Sequence, residues 1–295
     1  MGPRQSTPGS PRVAAVTVSY GSERVLPPFL ASVPASSSSP ISVVIADNRP
    51  ESGTVAQIAA SAGAQYLAMP RNLGYGSAMN AGVAVLPATV EWVLLSNPDV
   101  VLAPGALDRL VAAGEADSRI GSVGPAILNS DGSVYPSARA VPSLRTGIGH
   151  AMFANLWPSN PWSQRYRNDS TVPGRGRDAG WLSGACLLVR RSAFDDVGGF
   201  DESFFMYFED VDLGYRLGKK GYRNVYEPAA RAAHAGAHAT TTDSVKMIAA
   251  HHESARKFLA KKYSGVALWP LRAMLTVGLN IRSALAARRV TQQGH

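Results

Sequence analysis

Continuous apolar runs separated by helix-length segments organise the first hundred residues. Residues 13–20 (VAAVTVSY), 41–46 (ISVVIA) and 92–95 have the pattern of strands buried on both faces. Between them, residues 23–31, opened by Pro27 and Pro28, predict a short helix, 34–40 (PASSSSP) a loop, 54–62 a second helix and 65–68 a short strand. A Gly-rich turn at 72–76 then opens a helix over 77–85. Further along, the pattern predicts a helix over 105–113, strands over 123–128 and 185–189, and a helix over 210–220 with Leu213 and Leu217 on one face. Such β-α-β-α alternation implies a parallel sheet covered by helices, an α/β fold. Ligands bind such sheets beyond the carboxyl ends of the strands. The polar residues here stand at those ends: Ser19 and Tyr20, Asp47 and Asn48, Asn97 and Asp99. Residues 13–105 therefore read as a nucleotide-binding half, and 106–252 as an acceptor and catalytic half of the same domain.

The flanking segments have other compositions. Residues 1–12 lack the apolar core of a secretory signal and read as a disordered leader. Residues 135–180 hold five prolines with Trp157, Trp162 and Tyr166, and read as a partly irregular segment covering the site. Residues 253–295 interleave Arg256, Lys257, Lys261, Lys262, Arg272 and Arg282 with Leu268, Trp269, Leu275 and Ile281, against the single acid Glu253. That is the composition of a helix lying in a membrane interface, with a packed C-terminal helix as the alternative. No run of about 18 uninterrupted apolar residues is present; the nearest, 266–287, is broken by Pro270, Arg272, Asn280 and Arg282.

Net charge changes the picture by naming a partner class. A charge of +8 over 295 residues favours an anionic ligand or surface. The basic residues cluster with apolar ones in the tail and not with exposed aromatics on a sheet, which ranks nucleic acid low. Cys186 is the one cysteine, so no internal disulfide forms, which fits a reducing compartment.

Several short motifs carry chemistry. Asn97-Pro98-Asp99 puts an acid just past a buried strand, where it could hold a hard divalent cation gripping diphosphate oxygens; as a dipeptide pattern it is also an ordinary turn. Asp47-Asn48 could meet a pyrimidine base or simply cap a turn. The stretch from Asn72 through Gly74 to Asn80 puts glycines before a helix, where backbone amides could face a phosphate or ribose. It has neither the GxGxxG spacing nor the GK[ST] ending of the common phosphate-binding loops. Glu209-Asp210 is the best catalytic pair: it follows the aromatic run Phe204, Phe205, Tyr207, Phe208, and Asp210 at a helix start would stay ionised to take a hydroxyl proton. Many such pairs are only helix caps. His234 and His238 in AAHAGAHAT suit a site of one imidazole, one carboxylate and phosphate. No Cys cluster, HExxH or GxSxG occurs.

Taken in order along the chain, strand-end Asp47, the NPD motif, GWLSGACLLVRRSAF, GGFDE and YFEDVDLGYRL resemble the family 2 glycosyltransferases of the GT-A fold. The resemblance covers roughly residues 13–265. It implies a mostly parallel central sheet flanked by helices, a sugar-nucleotide donor, a divalent metal (Mn2+ or Mg2+) and single-displacement, inverting transfer. Carried over, Ser19, Tyr20, Asp47, Asn48, Asn72, Gly74, Asn80 and Asn97 would line the nucleotide, and Asp99 and His234 would hold the metal. Asp210 would be the base with Glu209 supporting it, and Trp181, Ser183 and Gly184 would shape the acceptor side. Two departures stand out: only the last acid of the metal motif remains, and Arg49-Pro50 replace the usual small residues after Asp47.

Within the family, RNLGYGSAMN, SNPDV, DGSVYPSAR, the WPSNPW stretch and FMYFEDVDLGYRLGKKGY resemble actinobacterial rhamnosyltransferases that build the linker between peptidoglycan and arabinogalactan. That implies a dTDP-L-rhamnose donor and an N-acetylglucosaminyl-diphospho-polyprenol acceptor, met peripherally at the cytoplasmic face of the plasma membrane. Another donor such as a UDP-hexose, a sugar nucleotidyltransferase and a non-catalytic scaffold are the competing readings. The second would need a Lys/Arg-bearing triphosphate loop, which VSYGSERVLPP matches poorly. A homo-oligomer is left open by the sequence.

Overall fold

The computed structural model describes residues 11–143, 176–234, 244–265 and 268–270. Its centre is a sheet in the order β3-β2-β1-β4-β11-β6-β12-β5. The strands are β1 (Val13–Ser19), β2 (Ile41–Asp47), β3 (Gln65–Ala68), β4 (Trp92–Ser96), β5 (Val100–Leu102), β6 (Ile120–Leu128), β11 (Cys186–Arg190) and β12 (Arg223–His234). Short strands β7 (Val134–Tyr135) and β9 (Arg177–Ala179) pair with β6 and β12, and β8 (Ala138–Arg139) pairs with β10 (Trp181–Leu182) in a separate ribbon. Helices α1 (Leu26–Ala35), α2 (Thr54–Ser61), α3 (Tyr75–Ala84), α4 (Ala106–Glu115) and α5 (Arg191–Asp196) cover the two faces. They are followed by α6 (Glu209–Lys219) and α7 (Ser244–Lys262).

The first half follows the apolar pattern. β1 is buried along its whole length and runs parallel to β2 and β4, and β2 runs parallel to β3. The expected helices all form, with ends displaced by up to four residues: α1 runs on to Ala35 through Pro34, and α3 begins at Tyr75. Glycines let these layers approach. A Cβ at Gly82 would lie 2.4 Å from Val16 Cγ1, and one at Gly114 would lie 2.4 Å from the Trp92 ring. Trp92 is sandwiched there, with the Arg190 guanidinium 4.3 Å from the centroid of its ring and donating to Gly114 O at 2.8 Å.

The second half departs from a purely parallel sheet. β11 is inserted antiparallel between β4 and β6, because an apolar run of five residues carries no information about direction. β12 was not anticipated. Its pairing with β6 shifts register between Glu227 and Arg231, which accommodates Pro228 as a bulge. β5 pairs antiparallel with the end of β12.

α7 contains the start of the predicted tail, and it packs on the domain. Phe258 is fully buried against Phe204 and Val211, with the rings of Phe208 and Tyr215 at 5.7 and 5.8 Å. Ser254 Oγ donates to Met206 O, Lys257 Nζ to Ser203 O, and Lys261 pairs with both Asp201 and Asp212 at 2.7 Å. Leu268 and Trp269 are exposed. Among the described residues no helix is long and apolar enough to cross a membrane. The WPSNPW stretch, His238 and the tail beyond Pro270 lie outside the described residues.

The contact between Gly114 and Trp92 gives a direct test. Gly114→Ala should destabilise the protein by about 1–3 kcal/mol, since a methyl there overpacks a fixed indole. Urea unfolding followed by tryptophan fluorescence would measure it.

Candidate active site

Register brings the site together at one edge of the sheet. Ser19, Asp47 and Ala68 are aligned at the ends of parallel strands. β4 ends alongside them at Ser96, opposite Cys186, the first residue of antiparallel β11. The residues that lead into β11 therefore arrive at the same edge, and Asn97 N donates to Ala185 O at 2.9 Å. One residue back, Gly184 N donates to Asp210 Oδ2 at 2.9 Å. The NPD turn and the acid at the start of α6 are thus connected through two consecutive residues. β12 ends at His234, directly opposite Val100, which brings the imidazole beside Asp99.

At the end of β12, His234 Nε2 lies 3.1 Å from Asp99 Oδ1 and 3.4 Å from Asn97 Nδ2. Both Asp99 and His234 retain some solvent exposure. Among the described residues no group of three His, Cys, Asp or Glu side chains gathers as a cage. One carboxylate and one imidazole still fit a hard divalent ion that takes its other ligands from phosphate and water.

At the opposite end, the residues before α6 hold an unusual conformation. Tyr207 and Phe208 have φ of 67° and 65°, two successive left-handed residues, neither of them glycine. Each costs on the order of 1 kcal/mol or more, so the turn persists only because its surroundings over-determine it. The α7 contacts at Ser203, Met206 and Phe208 do so, and His251 sets its ring 5.4 and 5.3 Å from Tyr207 and Phe208.

The turn delivers two acids to different environments. Asp210 accepts from Gly184 N and Val211 N at 2.9 and 2.8 Å. Burial raises its pKa, opposed by these N–H groups and by the charge of Arg139. Glu209 is buried, its Oε2 has no partner among the described residues, and burial together with the Asp210 charge pushes its pKa up to about 8. The two N–H groups facing Asp210 favour its ionised form, whereas the buried Oε2 of Glu209 has no such donor among the described residues. Asp212, the third acid of the run, is fully buried and paired with Arg216 and Lys261, a structural role.

Gly184 packs closely on the acid: a Cβ there would sit 3.3 Å from Asp210 Cβ, a tight contact. Tyr75, which the sequence reading left without a role, donates to Gly184 O at 2.6 Å and locks that peptide. Burial, then the charges of Glu209 and Asp210, raise the Tyr75 pKa well above its ordinary value, so it remains a donor. Ser183 N donates to Ser137 O and Trp181 Nε1 to Ala140 O, fixing the ribbon of β8 and β10 beside Asp210.

The residues at the ends of β1 and β2 have the following surroundings. Ser19 is buried with an Oγ that has no partner among the described residues, and so is Asn48 Oδ1. Tyr20 is exposed, with the Arg49 guanidinium 5.9 Å from its ring centroid. Asp47 accepts from Arg49 N and Tyr66 Oη, both at 3.1 Å. The turn at 72–75 requires correction. Gly74 N donates to Asn72 Oδ1 and Tyr75 N to Phe205 O, so these two amides are engaged within the protein and do not face a phosphate. A Cβ at Gly74 (φ +92°) would lie 2.1 Å from Phe205 O, so glycine serves here for packing against the aromatic turn. Asn80 likewise spends its amide on Phe200 and Glu202, holding the GGFDE segment.

Polar strand ends, an Asp/His pair and a buried acid at a helix start, converging on one edge of an α/β sheet, fit a glycosyltransferase of the GT-A type. The model of the glycosyltransferase like family 2 matches residues 11–252, and the chain belongs to that family. It is similar to N-acetylglucosaminyl-diphospho-decaprenol L-rhamnosyltransferase of Mycobacterium tuberculosis, 46% identical over 286 residues covering 94% of this chain and 92% of the relative. It is also similar to rhamnosyltransferase WbbL of Escherichia coli K12, 30% identical over 64% of this chain and 71% of the relative. Among solved structures, the mannosyltransferase PcManGT from Pyrobaculum calidifontis in complex with GDP-Man and Mn2+ superposes with a TM-score of 0.55 at 15% identity, covering 94% of this chain and 72% of that one. GalNAc-T7 with UDP, GalNAc and Mn2+ does so with 0.55 at 14%, covering 76% and 44%.

The Glu209 environment fixes a sign. Its folded pKa of about 8 lies above the ordinary 4.5, so its contribution to stability is complete below about pH 4.5 and is lost as pH rises to about 8. Glu209→Gln, which stays neutral, should gain melting temperature relative to the parent between pH 5 and pH 9. A pH series of thermal unfolding checks this; a constant difference would remove the assignment.

Proposed function

We propose that this enzyme transfers L-rhamnose from dTDP-L-rhamnose to N-acetylglucosaminyl-diphospho-polyprenol with inversion at the anomeric carbon. The observation that carries the chemistry is Asp210, held at the start of α6 by Gly184 N and within reach of an acceptor seated on Trp181, Ser183 and Gly184. The substrate assignment draws on the high identity, over nearly the whole chain, to the mycobacterial rhamnosyltransferase.

In the reaction, Asp210 accepts the proton of the acceptor hydroxyl as its oxygen bonds to the anomeric carbon. The bond from that carbon to the donor phosphate oxygen breaks on the far side, and dTDP departs. A β-linked donor then yields an α-rhamnoside. Protonated Glu209 leaves the pair with one negative charge, which keeps Asp210 basic without doubling the charge in a buried site. Asp99 and His234 are the residues that would hold a divalent ion, which when bound supplies charge to the leaving diphosphate. Ser19, Tyr20, Asp47 and Asn48 would read the base, with Asn72, Gly74, Asn80 and Asn97 behind them; for Gly74 and Asn80 that role is positional.

The polyprenol acceptor and the basic, apolar tail support peripheral association with a membrane, at the cytoplasmic face where sugar nucleotides are made. Exposed Leu268 and Trp269 at the start of that tail fit the same reading.

Asp210→Asn should retain dTDP binding and lose at least about 100-fold in turnover. A transfer assay with dTDP-rhamnose and a short-chain acceptor analogue, run beside calorimetric titration with dTDP, measures both; turnover near the parental rate would exclude Asp210 as the base. Full activity in chelator-treated protein, unchanged in Asp99→Asn and His234→Ala, would count against the metal role.

A further inference from the structure

Arg139 ends β8 directly opposite Trp181 of β10. Its side chain is fixed from three directions. Nε donates to Pro136 O at 2.8 Å, and the guanidinium lies 5.6 and 5.8 Å from the ring centroids of Tyr135 and Trp181. Its own carbonyl accepts from Gly180 N, tying it to the strand that leads to Ser183 and Gly184. Among the described residues no carboxylate pairs with it, and Nη1 and Nη2 make no hydrogen bond. Two other arginines are paired with acids: Arg223 with Asp178 and Asp117, and Arg216 with Asp212. Arg139 is close enough to Asp210 for its charge to favour the ionised carboxylate.

An arginine oriented by two aromatic faces, with both terminal amino groups uncommitted, is prepared for a planar two-point contact with phosphate oxygens. Its position says which phosphate. Asp99 and His234 reach the site from the ends of β4 and β12, whereas Arg139 reaches it from the ribbon that also carries Trp181, on the side of the base. An acceptor whose hydroxyl meets Asp210 carries its own diphosphate one sugar width away.

We propose that Arg139 grips the diphosphate of the lipid-linked acceptor and so selects diphosphate-linked sugars over neutral ones. The proposal rests on the reading of the reaction given above, and its test separates the two. Calorimetry on the full chain would use a short-chain prenyl N-acetylglucosaminyl diphosphate, dTDP, and inorganic diphosphate in metal-free buffer as three probes. Arg139→Gln should weaken the prenyl-linked probe roughly tenfold or more, with dTDP affinity unchanged. Arg139→Lys, which keeps the charge and loses the fork, should fall between. In turnover, KM for the acceptor should rise by a larger factor than kcat falls, since the charge of Arg139 also acts on Asp210. Equal weakening of dTDP, or unchanged affinity for the prenyl-linked probe, overturns the proposal. If the parent protein neither binds that probe nor consumes dTDP-rhamnose, the reading of the reaction fails instead. The inorganic probe then decides for Arg139 alone: binding lost in Arg139→Gln supports it, and binding retained refutes it.

Discussion

The site depends on one constraint, the insertion of β11 antiparallel to β4. A parallel strand in that place would send the residues preceding it to the far edge of the sheet. Antiparallel, it returns Ser183, Gly184 and Ala185 to the edge where β1, β2 and β4 end, and one backbone hydrogen bond and one from Gly184 N to the carboxylate then connect the NPD turn to Asp210. Backbone groups at a buried edge must find partners, so this connection is fixed by the same accounting that holds the sheet. Tyr75 adds the last bond to Gly184, so that α3, β11 and α6 meet at a single peptide.

Around that peptide, the strained turn at Tyr207–Phe208 sets the direction of α6. Its conformation aims Glu209 inward, under Gly76, and Asp210 toward Gly184. Two adjacent acids thereby acquire different surroundings, one without a hydrogen-bond partner for its buried Oε2 among the described residues and one with two N–H donors. Separation of proton affinities between neighbouring carboxyls is the physical basis for assigning one a chemical role and the other a supporting one.

Much of this was legible in the chain. β1, β2 and β3 appear nearly where the apolar runs ended, and the amphipathic spacing of Leu213 and Leu217 marked α6. The acids at strand ends were visible because parallel α/β sheets leave their polar residues there. What escaped had non-local causes. The direction of β11 depends on its partners and not on its composition, and β12 is interrupted by Pro228. The proximity of Asp99 and His234 is a matter of register across 135 positions of chain, even though each was named separately. The amides at Gly74 and Tyr75 were assigned to a ligand, whereas Asn72 and the Phe205 carbonyl take them. Arg139 and Tyr75 stand in DGSVYPSAR and RNLGYGSAMN, but nothing local marks an arginine as lacking a carboxylate partner among the described residues or a tyrosine as a lock.

The dual use of the C-terminal region has a practical side. Ser254, Phe258 and Lys261 belong by composition to the basic tail and by packing to the turn ahead of α6. A chain shortened ahead of Ser254 would release the left-handed turn along with any lipid-seeking segment, and its inactivity would say nothing about lipids. Only a cut placed after Tyr263, beyond the last anchoring lysine, separates the two contributions.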